Sequence, residues 1–476
     1  AGRLQWGRLL SDSSEPSQEA LVTPQVVIPL SRLLQSDYRP FTLGVIVVMT
    51  MFAFESIGVA TAMPTVARAL DGLNSYAWAF NGYLVSSLIA MVVAGEWNDR
   101  AGPRVPLMSG AFIFGVGALI AGAAWTMPVL VLARVIQGLG GGLAVVSVYV
   151  VLGRAFPDEI RPRAFTLLSA SWVLPSVVGP FIAGFLTDHI SWRAVFWAVV
   201  PFSLSVLFMS SRLERLGGGG ADHPPRWNRL LFACVAAGSL ALLQEAGSRR
   251  DVLGAGLAVV GLLALVPTLS RLLPYGALRF AHGLPTVVMM RGVLAGSFFA
   301  GEAFLPLALH TVRGATTAQG GLLLTFGALG WSVGSQVQGR VYSKMQRRHL
   351  VQWGAALVAV CLFALPIAMT NAVSFWVAAL PWMLGAVGMG LAFGAIGTLT
   401  LELSTPEDQG ANSAALQVLD STGSIVFIGI AGVIYGSALS RGVVSGWTFT
   451  WIWWVMALVA LGGSWVSRRI PLTALA

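Results

Sequence analysis

The chain has 476 residues, 56% of them hydrophobic and 10% charged, with a formal net charge of +9. Soluble domains carry about 25% charged residues, so an ordinary water-soluble globule is excluded. Long apolar runs in place of ten-residue alternating strands exclude an outer-membrane barrel. The Arg residues sit in short loops between those runs, which is the pattern of topology signals and not of a basic nucleic-acid groove.

In chain order, residues 1–40 are mixed polar and lack the early apolar core of a cleavable signal. They are expected to form a cytoplasmic N-terminal segment, with a short interfacial helix near Pro29–Asp37. Apolar runs, each long enough to cross a hydrocarbon core of about 30 Å as a helix, follow at 41–65, 76–97, 105–125, 127–150, 164–187 and 192–211. The first of these is expected to serve as the insertion signal. A polar linker with Gly217–Gly220 and Pro224-Pro225 comes next, then two runs at 229–247 and 252–272. Six more lie at 285–310, 316–339, 349–371, 373–400, 410–437 and 446–467. The fold class is therefore an all-α membrane protein of fourteen spans, six plus two plus six. Four segments are expected: 1–40, a six-helix bundle at 41–212, a linker with two extra helices at 213–284, and a second six-helix bundle with a short tail at 285–476.

With both termini in the cytoplasm, most of the 29 Lys and Arg residues fall in inner loops and tails, which favours that topology. The pair Arg249-Arg250 runs against the trend, and Asp251 adjoins it. Cys234 and Cys361 lie inside apolar runs and read as buried small hydrophobes, not as a disulfide or metal site. Trp97, Trp192 and Trp382 fall near span ends and are expected to anchor at the interface.

Between the second and third spans stands Gly95-Glu-Trp-Asn-Asp-Arg-Ala-Gly-Pro-Arg104, where Gly95 and Gly102 permit a tight turn and Asp99 and Arg100 can pair across helix ends. In the fourth span, Leu132-Ala-Arg-Val-Ile-Gln-Gly-Leu-Gly-Gly141 buries Arg134 roughly 10 Å deep at 1.5 Å per residue. A charge at that depth costs several kcal/mol, about 2.5–3.5 on insertion scales, unless paired or hydrated. Its partner is expected to be Glu55 of the first span, roughly 15 Å from the outer end. The fifth span carries Pro175-Ser-Val-Val-Gly-Pro-Phe-Ile-Ala-Gly184, in which Gly179-Pro180 kinks the helix and thins its face. The fourth spans of the two blocks are both glycine-rich, as in a repeat packed by close helix approach.

These motifs, in this order, resemble the major facilitator superfamily, and Glu55–Pro64 with Phe304–Ala315 resembles its fourteen-helix drug–proton antiporter branch. The resemblance covers roughly 41–211 and 285–467. It implies two six-helix bundles working by alternating access, a cytoplasmic gate loop made of Gly95, Asp99, Arg100, Gly102 and Arg104, and an antiporter-type fifth helix with Pro175, Gly179, Pro180 and Gly184. Departures from the branch are Glu55 for a usual Asp, Ala60 for Asn, Pro175 and Ala183 for Gly, and His310 for Gln.

A carboxylate whose surroundings alternate between wet and dry can take up and release a proton, so Glu55, Arg134 and Gln137 are candidates for coupling or the substrate cavity. A static ion pair that fixes packing is the alternative for Glu55 and Arg134. Glu302, mid-span in the helix equivalent to the first, is a rough counterpart of Glu55, and Asp420 is a third candidate. Arg291 is close enough to the inner end to snorkel, with a structural role. The single lysine, Lys344, and the lack of Gly-Lys-Ser/Thr exclude a Walker-type ATP pump, and no His-Glu-x-x-His occurs. The expectation is a cofactor-free, proton-driven exporter of amphipathic or hydrophobic small molecules, acting as a monomer in a bacterial inner membrane, without nucleic acid or metal. A lipid or metabolite exporter of the same fold, and a transport-inactive sensor or scaffold, remain as alternatives.

Overall fold

The computed structural model describes residues 33–157, 160–208, 227–249, 251–341, 345–405 and 408–472. The interfacial helix expected near Pro29–Asp37 and the linker at Gly217–Pro225 fall largely or wholly outside these residues. The helices are α1 (Arg39–Ala69), α2 (Tyr76–Ala101), α3 (Arg104–Ala123), α4 (Met127–Ala155), α5 (Arg161–His189), α6 (Trp192–Trp197), α7 (Val200–Phe208), α8 (Trp227–Ser248) and α9 (Val252–Leu272). After them come α10 (Leu284–Arg313), α11 (Thr317–Val341), α12 (Arg347–Ala364), α13 (Ala379–Glu402), α14 (Gln409–Ser440) and α15 (Gly446–Val466).

Local signals explain most boundaries. Proline occupies the first turn of α1, α4 and α10, where its missing N–H removes no helical bond. Asp251 caps α9 by accepting from Gly254 N at 2.8 Å, and Ser445 with Thr448 forms a capping box on α15. Gly102, at φ +73°, reverses the chain between α2 and α3 in a conformation that other residues rarely adopt. Gly95, expected in that turn, lies instead within α2, which runs on to Ala101.

Among the described residues, eleven helices are long and apolar enough to cross a membrane. Helices α5 and α11 are of comparable length, 29 and 25 residues. A broken crossing formed by α6 and α7 completes fourteen. The sixth span, expected as one piece, thus breaks at Ala198–Val199, just before Pro201.

The two bundles repeat one packing scheme. In the first, α4 packs on α2 and α3, and α1 on α5; in the second, α13 packs on α11 and α12, and α10 on α14. The bundles meet where α5 lies against α11 and α2 against α14. The extra helices pack on each other, and α8 also touches both α2 and α14, so it bridges the bundles from outside.

A row of hydrogen bonds joins the bundles toward the end of α1 that carries Ala69, called here the Ala69 pole. Thr65 Oγ1 and Thr317 Oγ1 are 2.9 Å apart, and Arg68 donates to Thr311 Oγ1 at 3.1 Å. Ala318 N donates to Asp188 at 3.0 Å, and Tyr76 OH donates to the Ala303 carbonyl at 2.7 Å. Asn81 Nδ2 donates to the Ile425 carbonyl at 3.0 Å, and Thr325 to that of Val177 at 3.2 Å. The opposite end of the molecule is the Arg39 pole.

Candidate functional site

Besides the Arg347–Glu402 pair at helix ends, three charged features lie along the described spans, each in a different environment. In the first bundle, Glu55 of α1 forms an ion pair with Arg134 of α4, as the sequence led one to expect. Both side chains are buried, at 2% and 4% exposure. Arg134 also donates to Gln137 Oε1 at 2.9 Å, one turn along α4, and to the Ala79 carbonyl of α2 at 3.0 Å. Its guanidinium carbon stands 4.7 Å from the ring centre of Tyr83. Tyr83 and Ala79 went unnoticed in the sequence, where an aromatic residue and an alanine in an apolar run carry no signal. The arrangement neutralises the arginine and fixes its direction, since one guanidinium engages a carboxylate, an amide, a carbonyl and a ring.

In the second bundle, Arg291 of α10 donates to Asp420 of α14 at 2.7 Å. The pair is more open than the first, with side-chain exposures of 18% and 29%. Arg291 also lies 3.6 Å over the ring centre of Phe393 from α13. The expected snorkelling role is thereby corrected: Arg291 turns into the bundle because Asp420 and Phe393 together supply a charge partner and an aromatic face. Tyr149 of α4, in the first bundle, is within electrostatic range of both Arg291 and Asp420.

Glu302 of α10 is half-buried, and no ion-pair or hydrogen-bond partner for its carboxylate is found among the described residues. Its correspondence with Glu55 is one of helix and not of level. Aligning Pro64 of α1 with Pro306 of α10 places Ser297 opposite Glu55 and Ala60 opposite Glu302. Among the described residues Ser297 bonds to carbonyls of its own helix, Val293 and Leu294, and at that level they hold no copy of the first ion pair.

An aromatic wall runs through the same bundle. Phe298 stacks on Trp382 with centroids 4.6 Å apart and planes at 12°, and Trp331 of α11 sits 6.0 Å from Phe298 and 6.2 Å from Phe299. Trp331 meets Phe393 edge-on at 4.9 Å, which connects the wall to Arg291. Phe299 and Glu302 share a helix face, being three residues apart. Trp382, expected at the interface, is buried at 1%, and Trp192 at 5% packs on Phe196 and under Arg193. Trp382 lies inside the crossing that runs from Phe375 to Glu402, and its ring is taken up by stacking on Phe298. Interfacial anchoring suits the exposed Trp125, Trp447 and Trp465 better.

The loop residues are distributed differently from expectation. Arg100 pairs with Glu96 at 3.6 Å, one turn back, instead of with Asp99, which is exposed. The buried polar side chain of the segment is that of Asn98, which donates to Ser147 Oγ at 3.0 Å and to the Ala94 carbonyl at 2.6 Å. Gly102 makes the turn before Arg104, at the start of α3. On α5, Pro175, Gly179, Pro180 and Gly184 are all buried. A methyl group on Gly184 would come within 2.8 Å of Ala318 N, and one on Gly321 within 2.6 Å of the Pro180 carbonyl. The thinned face of α5 therefore admits α11 at backbone distance. His310 is held by the Ala315 carbonyl at 2.7 Å, and Glu245 by Arg249 at 2.8 Å.

Two six-helix bundles related by one packing scheme, with charges at their core and an added helix pair, define a multi-pass secondary-transporter architecture. Residues 43–428 match the Major Facilitator Superfamily, and the chain belongs to that family. It is 24% identical over 410 residues to "Multidrug resistance protein 3" of Bacillus subtilis (strain 168), covering 84% of this chain and 80% of that protein. It is 25% identical over 455 residues to "Probable multidrug-efflux transporter Rv1634" of Mycobacterium tuberculosis, covering 89% and 94%. Among solved structures it is similar in fold to a POT family transporter crystallised with a thioalcohol-conjugated peptide, at a TM-score of 0.68 and 14% identity, covering 89% of this chain and 94% of that one.

Proposed function

We propose that the chain is a proton-driven antiporter that exports amphipathic or hydrophobic small molecules by alternating access. The observation that carries this reading is Glu302, a carboxylate without a partner among the described residues, three residues along the same helix from an aromatic wall. A carboxylate so placed can exchange a proton with a cavity that is alternately wet and dry, and Phe299, Trp331 and Phe393 offer ring faces to the apolar part of a substrate. Glu55, Arg134 and Gln137 form the second charged element, and Arg291 with Asp420 the third. The names of the bacterial relatives support a multidrug cargo.

The bias of Lys and Arg toward one set of loops supports a cytoplasmic Arg39 pole and cytoplasmic termini, in the cytoplasmic membrane of a bacterium. On that orientation the seam at the Ala69 pole is the outer gate, closed by its row of hydrogen bonds. The loop from Gly95 to Arg104 then stands at the cytoplasmic end, where Asp99 is exposed and Arg100 pairs within its own helix. It re-engages the second bundle when the outer gate opens. The transporter works as a monomer, without a cofactor, energised by protons alone.

The test is gradient-driven uptake of a fluorescent amphipathic dye into proteoliposomes, with wild type beside Glu302→Gln and Glu55→Gln. Wild-type flux is expected to follow the imposed pH gradient, and Glu302→Gln to bind dye but lose gradient dependence. Flux indifferent to the gradient and to both substitutions would overturn proton coupling. Movement of a labelled lipid in place of every dye would favour a lipid exporter.

A further inference from the structure

The added helix α8 has no part in the packing scheme that the two bundles share, yet it carries a buried amide into their seam. Gln244 Oε1 accepts from Asn81 Nδ2 of α2 at 2.6 Å. The same Asn81 nitrogen donates to the Ile425 carbonyl of α14, in the other bundle, at 3.0 Å. Asn81 is fully buried, Gln244 is 8% exposed, and Asn81 Oδ1 finds no hydrogen-bond partner among the described residues. Three helices from three parts of the chain therefore meet at one amide group. The surface of α14 is cut away to admit it: a methyl group on Gly429 would stand 2.7 Å from Gln244 Oε1, and one on Gly432 2.7 Å from Ala77 Cβ.

The two bonds of Asn81 differ in what would remain if they broke. The Ile425 carbonyl belongs to a helix and keeps its own i+4 donor after Asn81 leaves, so that bond breaks at the cost of one side-chain donor. The Gln244 bond joins two buried amides in an apolar setting, and breaking it strands the Gln244 Oε1 acceptor as well as one N–H of Asn81. Asn81–Gln244 is thus the durable contact and Asn81–Ile425 the releasable one.

We propose that Gln244 is a positioning residue for the seam at the Ala69 pole: it holds the Asn81 amide so that its second N–H aims at Ile425, and the added helix pair thereby biases the transporter toward the state with that pole closed. The inference rests on the alternating-access reading above. In the cycle, α8 stays with α2 through Gln244, while α14 slides along the glycine-cut surface formed by Gly429 and Gly432.

The experiment measures the separation of the bundles and needs no substrate. Spin labels go on Asp71→Cys and Thr316→Cys, which flank the seam, in a full-length Cys234→Ser/Cys361→Ala protein held in lipid nanodiscs. Pulsed dipolar distances are compared for this background, Gln244→Leu, Asn81→Leu, and the exchange Asn81→Gln/Gln244→Asn, alongside thermal unfolding of each. Gln244→Leu is expected to raise the ratio of open-pole to closed-pole distances about threefold to tenfold, the range for one hydrogen bond between membrane helices. Asn81→Leu is expected to raise it at least as much, and the exchange to restore it. A lower melting temperature for Gln244→Leu with an unchanged ratio would overturn the proposal and leave a packing role. Two populations that ignore Gln244 but respond to Asn81→Leu would also overturn it, while leaving alternating access intact. A single distance in every variant would overturn both readings together.

Discussion

The two bundles share a packing scheme but not a distribution of charge. In the first, Glu55 and Arg134 are buried together and supported by Gln137, Ala79 and Tyr83. In the second, Arg291 and Asp420 are partly open, and Glu302 stands apart from both. A duplicated scaffold therefore conserves which helices touch, because the small faces and glycines set that, while the residues that face inward are free to diverge. The first bundle is built so that its charges cannot easily change partners. The second leaves its charges partly exposed, so their surroundings are less fixed.

Substitutions can break this contrast, and the largest effect is expected at Arg134. Arg134→Leu leaves Glu55 buried and uncompensated, which costs about 3–5 kcal/mol, read as a lower melting temperature in detergent. Pairing it with Glu55→Gln should recover much of that loss. A single variant that melted like the wild type would mean the first bundle's charges are as open as those of the second.

Trp331→Ala comes next. Removing the ring that stands between Phe299 and Phe393 takes away stacking worth about 0.5–1.5 kcal/mol. KM for an aromatic dye is expected to rise about threefold to tenfold with kcat little changed. An unchanged KM with a reduced kcat would assign the wall to the conformational step and not to the cargo.

Asp420→Asn should cost less, about 1 kcal/mol or below, because a half-open pair is screened and Arg291 keeps its stacking on Phe393. A loss matching that of Arg134→Leu would erase the distinction between the two pairs. The smallest effect on stability is expected at Glu302→Gln, within about 0.5 kcal/mol, together with lost gradient dependence. Severe unfolding there would show that Glu302 is a structural anchor.

How much of this was legible beforehand varied by residue. Glu55 with Arg134 could be foreseen because each charge is improbable alone in an apolar run, and two such residues of opposite sign in one six-span block explain each other. The Arg291–Asp420 bond could not, because its members are 129 positions apart and Arg291 has a plausible solution at a helix end. Asn81 and Gln244 were invisible for a different reason: a single amide in a hydrophobic segment is compatible with many neighbours, and only the helix order in space selects one. The sixth span was placed correctly but drawn unbroken, since hydropathy does not register the interruption before Pro201. The burial of Trp382 depends on Phe298 of another helix, with which it stacks, and the apolar pattern does not say which way a tryptophan within a span turns.

The seam at the Ala69 pole has a consequence for how such a protein can diversify. Three of its donors, Tyr76, Asn81 and Thr325, are side chains, and their acceptors are peptide oxygens within helices. Every helix offers such oxygens whatever its sequence, so a new donor on one side finds a ready-made acceptor on the other. Gate strength can therefore drift by single substitutions in either direction, without a compensating change in the opposing bundle and without touching the charges at the core.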